Sequence, residues 1–215
     1  MARQRLLTLS LLLTALAWLT GCEAPLELDR VGEQLQRPTQ RHDLLQAAAN
    51  NGEVLVVVGN RGTVITSRDG GASWQRQALA GKPFLMSVAT CPDRSFVALD
   101  AARKLWFGGI TGEDWESRDI DTSETVQALA CDPSGRLWVV GSFSTIMNSE
   151  DRGTTWSEVS LDDDLLFTTI RFLDQNNAFL LGEFGAVVRT ADGGRTWEPM
   201  EYLPDEFYPQ DAHFD

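Results

Sequence analysis

Apolar residues in this chain come in short runs that return at a fixed interval. Val54 to Val58, Phe96 to Leu99, Leu137 to Val140 and Ala178 to Leu181 are four such runs; Gly59, Gly141 and Gly182 close three of them and Asp100 closes the second. A short turn then leads into another run, as in Thr63 to Thr66, Thr145 to Asn148 and Ala186 to Arg189. Upstream lie Leu85 to Ala89, Val126 to Ala130 and Phe167 to Phe172. Runs this short, rich in branched and aromatic residues and bounded by turn formers, predict strands. Beyond the first twenty residues no segment sustains a 3.6-residue period with caps, so helices are not expected.

The interval itself is set by tryptophan. Trp74, Trp115, Trp156 and Trp197 stand 41 residues apart, each from the next. Three of them end the pattern Ser/Thr-x-Asp-x-Gly-x-Ser/Thr-Trp: Ser67, Asp69, Gly71 and Trp74; Ser149, Asp151, Gly153 and Trp156; Thr190, Asp192, Gly194 and Trp197. This is the Asp-box, the bacterial neuraminidase repeat. The fourth copy is degenerate, keeping Gly112 and Trp115 but placing Ile110 and Asp114 where Asp and Ser/Thr belong. In such a turn a short acidic or hydroxyl side chain accepts backbone N–H bonds, Gly takes the positive-φ position, and the Trp returns to the core. One carboxylate per box is too few for a Ca²⁺ site, which needs six or more oxygens.

Three apolar strands and a polar fourth after the Trp fill each period, which matches one blade of an all-β propeller. The expected organisation is a signal at residues 1–21, a lipid-anchored segment at 22–43, four Asp-box repeats at 44–200, and the start of a fifth repeat or a tail at 201–215. A closed ring usually needs four to eight blades. Three readings of the ends therefore stand: a partial chain, a small ring latched by a strand from Pro25 to Val31, or an open arc that self-associates through its blade edges.

The first residues are an address. Arg3 and Arg5 precede the apolar stretch Leu6 to Leu19, too short to span a bilayer, which ends in Leu19-Thr20-Gly21-Cys22. That tetrapeptide resembles a bacterial lipobox, which implies export and a lipid on Cys22; Glu23 after it favours the outer membrane, at its periplasmic face. The whole chain has 18 Lys+Arg against 31 Asp+Glu, a net charge of −13. Cleavage before Cys22 removes Arg3 and Arg5 and no acid, leaving −15. Such a surface repels phosphate backbones, so nucleic acid is not an expected partner. Cys91 and Cys131 occupy nearly equivalent positions in adjacent repeats; they form either a disulfide between blades or two separately buried thiols. His42 and His213 have no metal-ligand spacing, Asp162-Asp163-Asp164 reads as a solvated loop, and no metal or cofactor is expected.

The boxes on a 41-residue period, the lipobox, and Gly-x-x-Gly-x-Val at Gly59 to Val64 and Gly182 to Val187 together resemble the photosystem II stability and assembly factor-like family. The resemblance implies a seven-bladed, non-enzymatic propeller that binds protein subunits of a membrane complex during assembly. This chain has about four blades. The family's basic surface patch would fall here to Arg61, Arg68, Arg94, Arg103 and Arg136, against the acidic balance. Sialidase-type glycoside hydrolases share the box, but they need a three-arginine clamp and a Tyr nucleophile, and the only tyrosines, Tyr202 and Tyr208, lie in the tail. A glycan-binding module would use Trp106 and Trp138 as stacking faces.

Overall fold

A computed structural model describes residues 28–204 and 208–209. The chain divides into two units, Met1–Arg37 and Pro38–Asp215.

In the first unit the described element is a helix, α1 (Leu28–Leu35), with Asp29 in its first turn. This corrects the latch-strand expectation for Leu28 to Val31. Leu28, Val31 and Leu35 follow helical spacing, and an acid at the N-terminal turn complements the helix dipole. The remaining latch residues, Pro25 to Glu27, together with Cys22 and the signal at 1–21, lie outside the described residues.

The second unit is four antiparallel sheets of four strands, each built from consecutive chain. Blade 1 comprises β1 (Leu45–Asn50), β2 (Leu55–Gly59), β3 (Thr63–Ser67) and β4 (Gln75–Ala78). Blade 2 comprises β5 (Leu85–Thr90), β6 (Phe96–Asp100), β7 (Lys104–Gly108) and β8 (Glu116–Asp119). Blade 3 comprises β9 (Val126–Cys131), β10 (Leu137–Gly141), β11 (Ile146–Ser149) and β12 (Ser157–Val159). Blade 4 comprises β13 (Phe167–Phe172), β14 (Ala178–Gly182), β15 (Val187–Thr190) and β16 (Glu198–Pro199). The fourth sheet ends in its own β16; the further blade that a latch would complete falls to residues 201–215, of which 205–207 and 210–215 lie outside the described residues.

The inner strands lie side by side in the order β1, β5, β9, β13, and β13 makes no comparable contact back to β1. The architecture is therefore an open arc, a partial propeller. Three apolar layers hold it together. Val56, Val58 and Val64 of blade 1 meet Phe96, Ala98 and Trp106 of blade 2. Val97, Leu99 and Leu105 meet Leu129, Val139 and Met147 across the next seam, and Trp138, Val140 and Ile146 meet Ile170, Leu180 and Val188 across the third. Residues alternate between the two faces of each sheet, and in the two middle blades both faces are covered, so that β6 and β10 are buried along their whole length and read as continuous apolar runs.

Each inner strand carries a register shift near its start, as between Leu45 and Ala47 or Leu85 and Ser87. There the entering chain crosses the end of the second strand, and Ser142 N–H binds the Thr125 carbonyl at 2.9 Å. A Cβ on Gly141 would strike that same carbonyl, which accounts for glycine at the end of the run.

Candidate functional site

The arc has two ends and an inner groove, and the predicted site residues divide among them. At one end sit the Asp-boxes, which turn the third strand into the fourth. In the box of blade 3, Asp151 Oδ1 accepts Ser149 Oγ at 2.9 Å, Thr154 N–H at 2.9 Å and Thr155 N–H at 2.8 Å, while Oδ2 accepts Thr155 Oγ1 at 2.7 Å. Ser149 Oγ in turn accepts Gly153 N–H at 2.7 Å, and Gly153 stands at φ 78°, where a side chain would be strained. Asp69 makes the same set with Ser67 and Ser73, and Asp192 with Thr190, Arg195 and Thr196. In the degenerate box Gly112 N–H goes to the Gly109 carbonyl instead of a Ser/Thr hydroxyl, and Trp115 Nε1 donates to the Gly112 carbonyl as Trp74 Nε1 does to that of Gly71.

These bonds stabilise the ionised form of each carboxyl. Bonds from Ser73, and then Ser67, hold Asp69 down to about 2, and the Thr155 N–H and hydroxyl do the same for Asp151. Thr196 lowers Asp192 in the same way. The carboxylates are thus engaged inside their own turns. Among the described residues no three acidic, His or Cys side chains group as a metal site.

The five arginines are not gathered into one patch. Arg68 and Arg94 tie blades 1 and 2 at the Asp-box end, pairing with Glu113 at 2.8 Å and Glu53 at 2.8 Å. Arg136 ties blades 3 and 4, donating to the Gly193 carbonyl at 2.8 Å. Arg61 and Arg103 sit at the opposite end, in turns between second and third strands, both at positive φ; Arg103 donates to the Ser123 carbonyl.

Two acids that the sequence did not single out organise the core. Asp132 is 1 % exposed and accepts Ser134 Oγ, Arg136 Nε and Trp138 Nε1 at 2.6, 2.7 and 3.0 Å. Burial raises its pKa, but the bonds from Ser134, Trp138 and Arg136 outweigh this and hold it below the ordinary value. Arg136 also lies over the Trp138 ring, 5.0 Å from its centroid. Asp100, equally buried, takes Trp106 Nε1 at 2.8 Å. In both cases the Asp precedes its Trp by six residues, the one signal the sequence offered. Trp106 and Trp138 are 8 % and 1 % exposed, so the stacking faces expected of a glycan module belong to the core.

Cys91 and Cys131 are joined in a disulfide across blades 2 and 3, with Cα atoms 5.1 Å apart. Both cysteines pack against the apolar layer of that seam. Cys131 also lines the inner groove, a space of about 670 Å³ along β1, β5, β9 and β13. Small side chains dominate its wall, Ala47, Ala49, Ala89 and Ala130 among them, with Gln46, Gln127 and Arg171 as polar groups. Arg171 is the one arginine lining it among the described residues, so no three-arginine clamp forms there, and Tyr208 lies instead against Phe184 at 5.4 Å. The groove is thus a mostly uncharged trough, with Arg171 its one charged lining residue among the described residues.

Four Asp-box blades side by side around an inner trough define a partial β-propeller in class. Residues 101–201 match the family model described as Photosynthesis system II assembly factor YCF48. Among solved structures, that of YCF48 bound to D1 peptide is 22 % identical with TM-score 0.58, covering 68 % of this chain and 49 % of that one. YCF48 from Cyanidioschyzon merolae is 16 % identical with TM-score 0.54, covering 73 % and 58 %. A structure of U3-55K is 10 % identical with TM-score 0.63, covering 75 % and 53 %. The chain therefore spans about half the length of the structures it matches. No curated protein matches it in sequence.

Proposed function

We propose that this protein is a non-enzymatic scaffold that binds protein subunits of a membrane complex during assembly. The observation that carries the reading is the family match over residues 101–201, whose solved relative holds a peptide of D1. The groove along the inner strands supports it, because its alanine-rich wall leaves room for an extended segment and its polar groups can pair with a peptide backbone. We further propose export and lipid attachment at Cys22, which would hold the arc at the periplasmic face of the envelope, preferably on the outer membrane. The test is affinity capture from solubilised membranes with the lipid-anchored form, read by mass spectrometry. Reproducible enrichment of subunits of one integral membrane complex is expected. Recovery of glycans alone, or of nothing proteinaceous, would remove the scaffold reading.

A further inference from the structure

The end of the arc opposite the Asp-boxes is built differently. Its turns between second and third strands bring residues of all four blades into the left-handed region: Arg61 at φ 57°, Arg103 at φ 62°, Phe143 and Ser144 at φ 52° and 53°, and Phe184 at φ 57°. Gly or Asn is the unstrained choice for such a position, and a bulky residue there is an outlier. Burial in the core does not explain the two phenylalanines, since Phe143 and Phe184 are 57 % and 44 % exposed, Phe184 meeting only the likewise exposed Tyr208 ring among the ring pairs of the described residues.

The two turns share one linker. Ser144 N–H binds the Leu165 carbonyl at 2.8 Å and Glu183 N–H binds the carbonyl of the next residue, Leu166, at 3.0 Å. Just upstream the same linker carries Asp162, Asp163 and Asp164, all exposed. It is fastened to the Phe143 turn by Ser160 Oγ on the Phe143 carbonyl at 3.1 Å and by Ser144 Oγ on the Asp163 carbonyl at 2.6 Å. Two exposed aromatic rings thus flank an acidic loop.

We propose that this surface on blades 3 and 4 docks a partner segment of cationic and apolar character, a Lys- or Arg-bearing stretch flanked by hydrophobic residues. Exposed aromatics provide anchors, and the neighbouring carboxylates select positive charge and steer its approach. An anionic lipid surface is disfavoured by the same acids. This deepens the binding role proposed above by naming the partner's chemistry, and it rests on that reading.

The test uses the full chain and three synthetic peptides of roughly a dozen residues with the same Leu and Phe content, bearing Lys, Gln or Glu at the polar positions, followed by fluorescence anisotropy. The Lys peptide is expected to bind about tenfold more tightly than the Glu peptide, with affinity falling as salt rises. The variant Phe143→Asn/Phe184→Asn should keep its thermal stability, because Asn accepts the left-handed backbone, and should bind the Lys peptide at least about fivefold more weakly. No binding of the Lys peptide, no preference over the Glu peptide, or unchanged binding by the variant would each overturn the proposal. So would phosphatidylglycerol vesicles binding the wild type but not the variant, which would assign the surface to membrane. If the variant still captures membrane subunits at the wild-type level, this docking surface falls and the scaffold reading stands. If the wild type captures none, the scaffold reading falls while the peptide result still decides the surface.

Discussion

Removing the Cys91–Cys131 disulfide should destabilise the arc strongly while leaving its fold intact. The bond closes a loop of 40 residues, and in the chain-entropy model that restriction of the unfolded chain is worth about 4 kcal/mol. The two half-buried cysteines sit in the seam between blades 2 and 3, against the apolar layer that also joins those blades. The clean comparison is Cys91→Ala/Cys131→Ala against the oxidised wild type, by urea unfolding followed through tryptophan fluorescence. We expect a loss of about 3–4 kcal/mol, equivalent to a Tm lower by roughly 8–15 °C for a unit of this size. Reductant should bring the wild type down to the variant's level and leave the variant unmoved. A difference below about 1 kcal/mol would refute the reasoning, since it would mean that the unfolded chain is already restricted without the bond, and a reductant effect on the variant would refute it by tracing the loss to something other than this disulfide.

The Asp-box carboxyls predict an acid limb of stability. Their folded pKa values lie below the unfolded value of 3.8, at about 2 for Asp69 and Asp151 and lower still for Asp192, so the unfolded chain takes up protons first; the contribution is present above about pH 4 and is lost as pH falls towards 2. Urea midpoints measured from neutral pH downwards should show that loss, and Asp69→Asn/Asp151→Asn/Asp192→Asn should reduce its slope; an identical slope would clear the boxes of responsibility. Asp132→Ala should cost about 3 kcal/mol by leaving Arg136 and Trp138 Nε1 unpaired, with Asp132→Asn less damaging, again by urea unfolding. A loss under about 1 kcal/mol for the alanine variant would show that solvent replaces the carboxylate.

How much of this was legible in the sequence depends on how far apart the interacting residues lie. Each box closes on itself, from Ser149 to Trp156 for example, so its chemistry is written in eight consecutive residues and the blade period follows from it. The disulfide was not decidable, because two cysteines at equivalent places in adjacent repeats meet only if the seam brings their Cα atoms within bonding reach. The arginines were chosen on charge alone, whereas their partners lie far along the chain, Glu113 being 45 residues from Arg68 and Gly193 57 residues from Arg136. Helix α1 escaped notice because eight residues with three apolar positions give too short a pattern to separate from a polar strand. Asp100 and Asp132 were overlooked because acids are expected at the surface, and only their tryptophan partners explain their burial.

The two ends of the arc place rigidity and recognition apart. At the Asp-box end nearly every strong polar group is committed: the Asp carboxylates to their own turns, Arg68 and Arg94 to neighbouring blades, Arg136 to Asp132 and Gly193. Such an end can hold blades in place, but a partner would have to break internal bonds to use it. At the other end the turns satisfy their backbone through the shared linkers and leave their side chains outward, so the residue at the tip is free to vary without cost to the seams. The tip is Arg61 in blade 1 and phenylalanine in blades 3 and 4, beside the acidic loop at 162–164. Local conformation would have selected glycine or asparagine at these tips, and the seams require nothing of them. The aromatic tips of blades 3 and 4 are therefore where a partner can engage exposed rings with the internal bonds left intact, which is the physical argument for the docking surface proposed there.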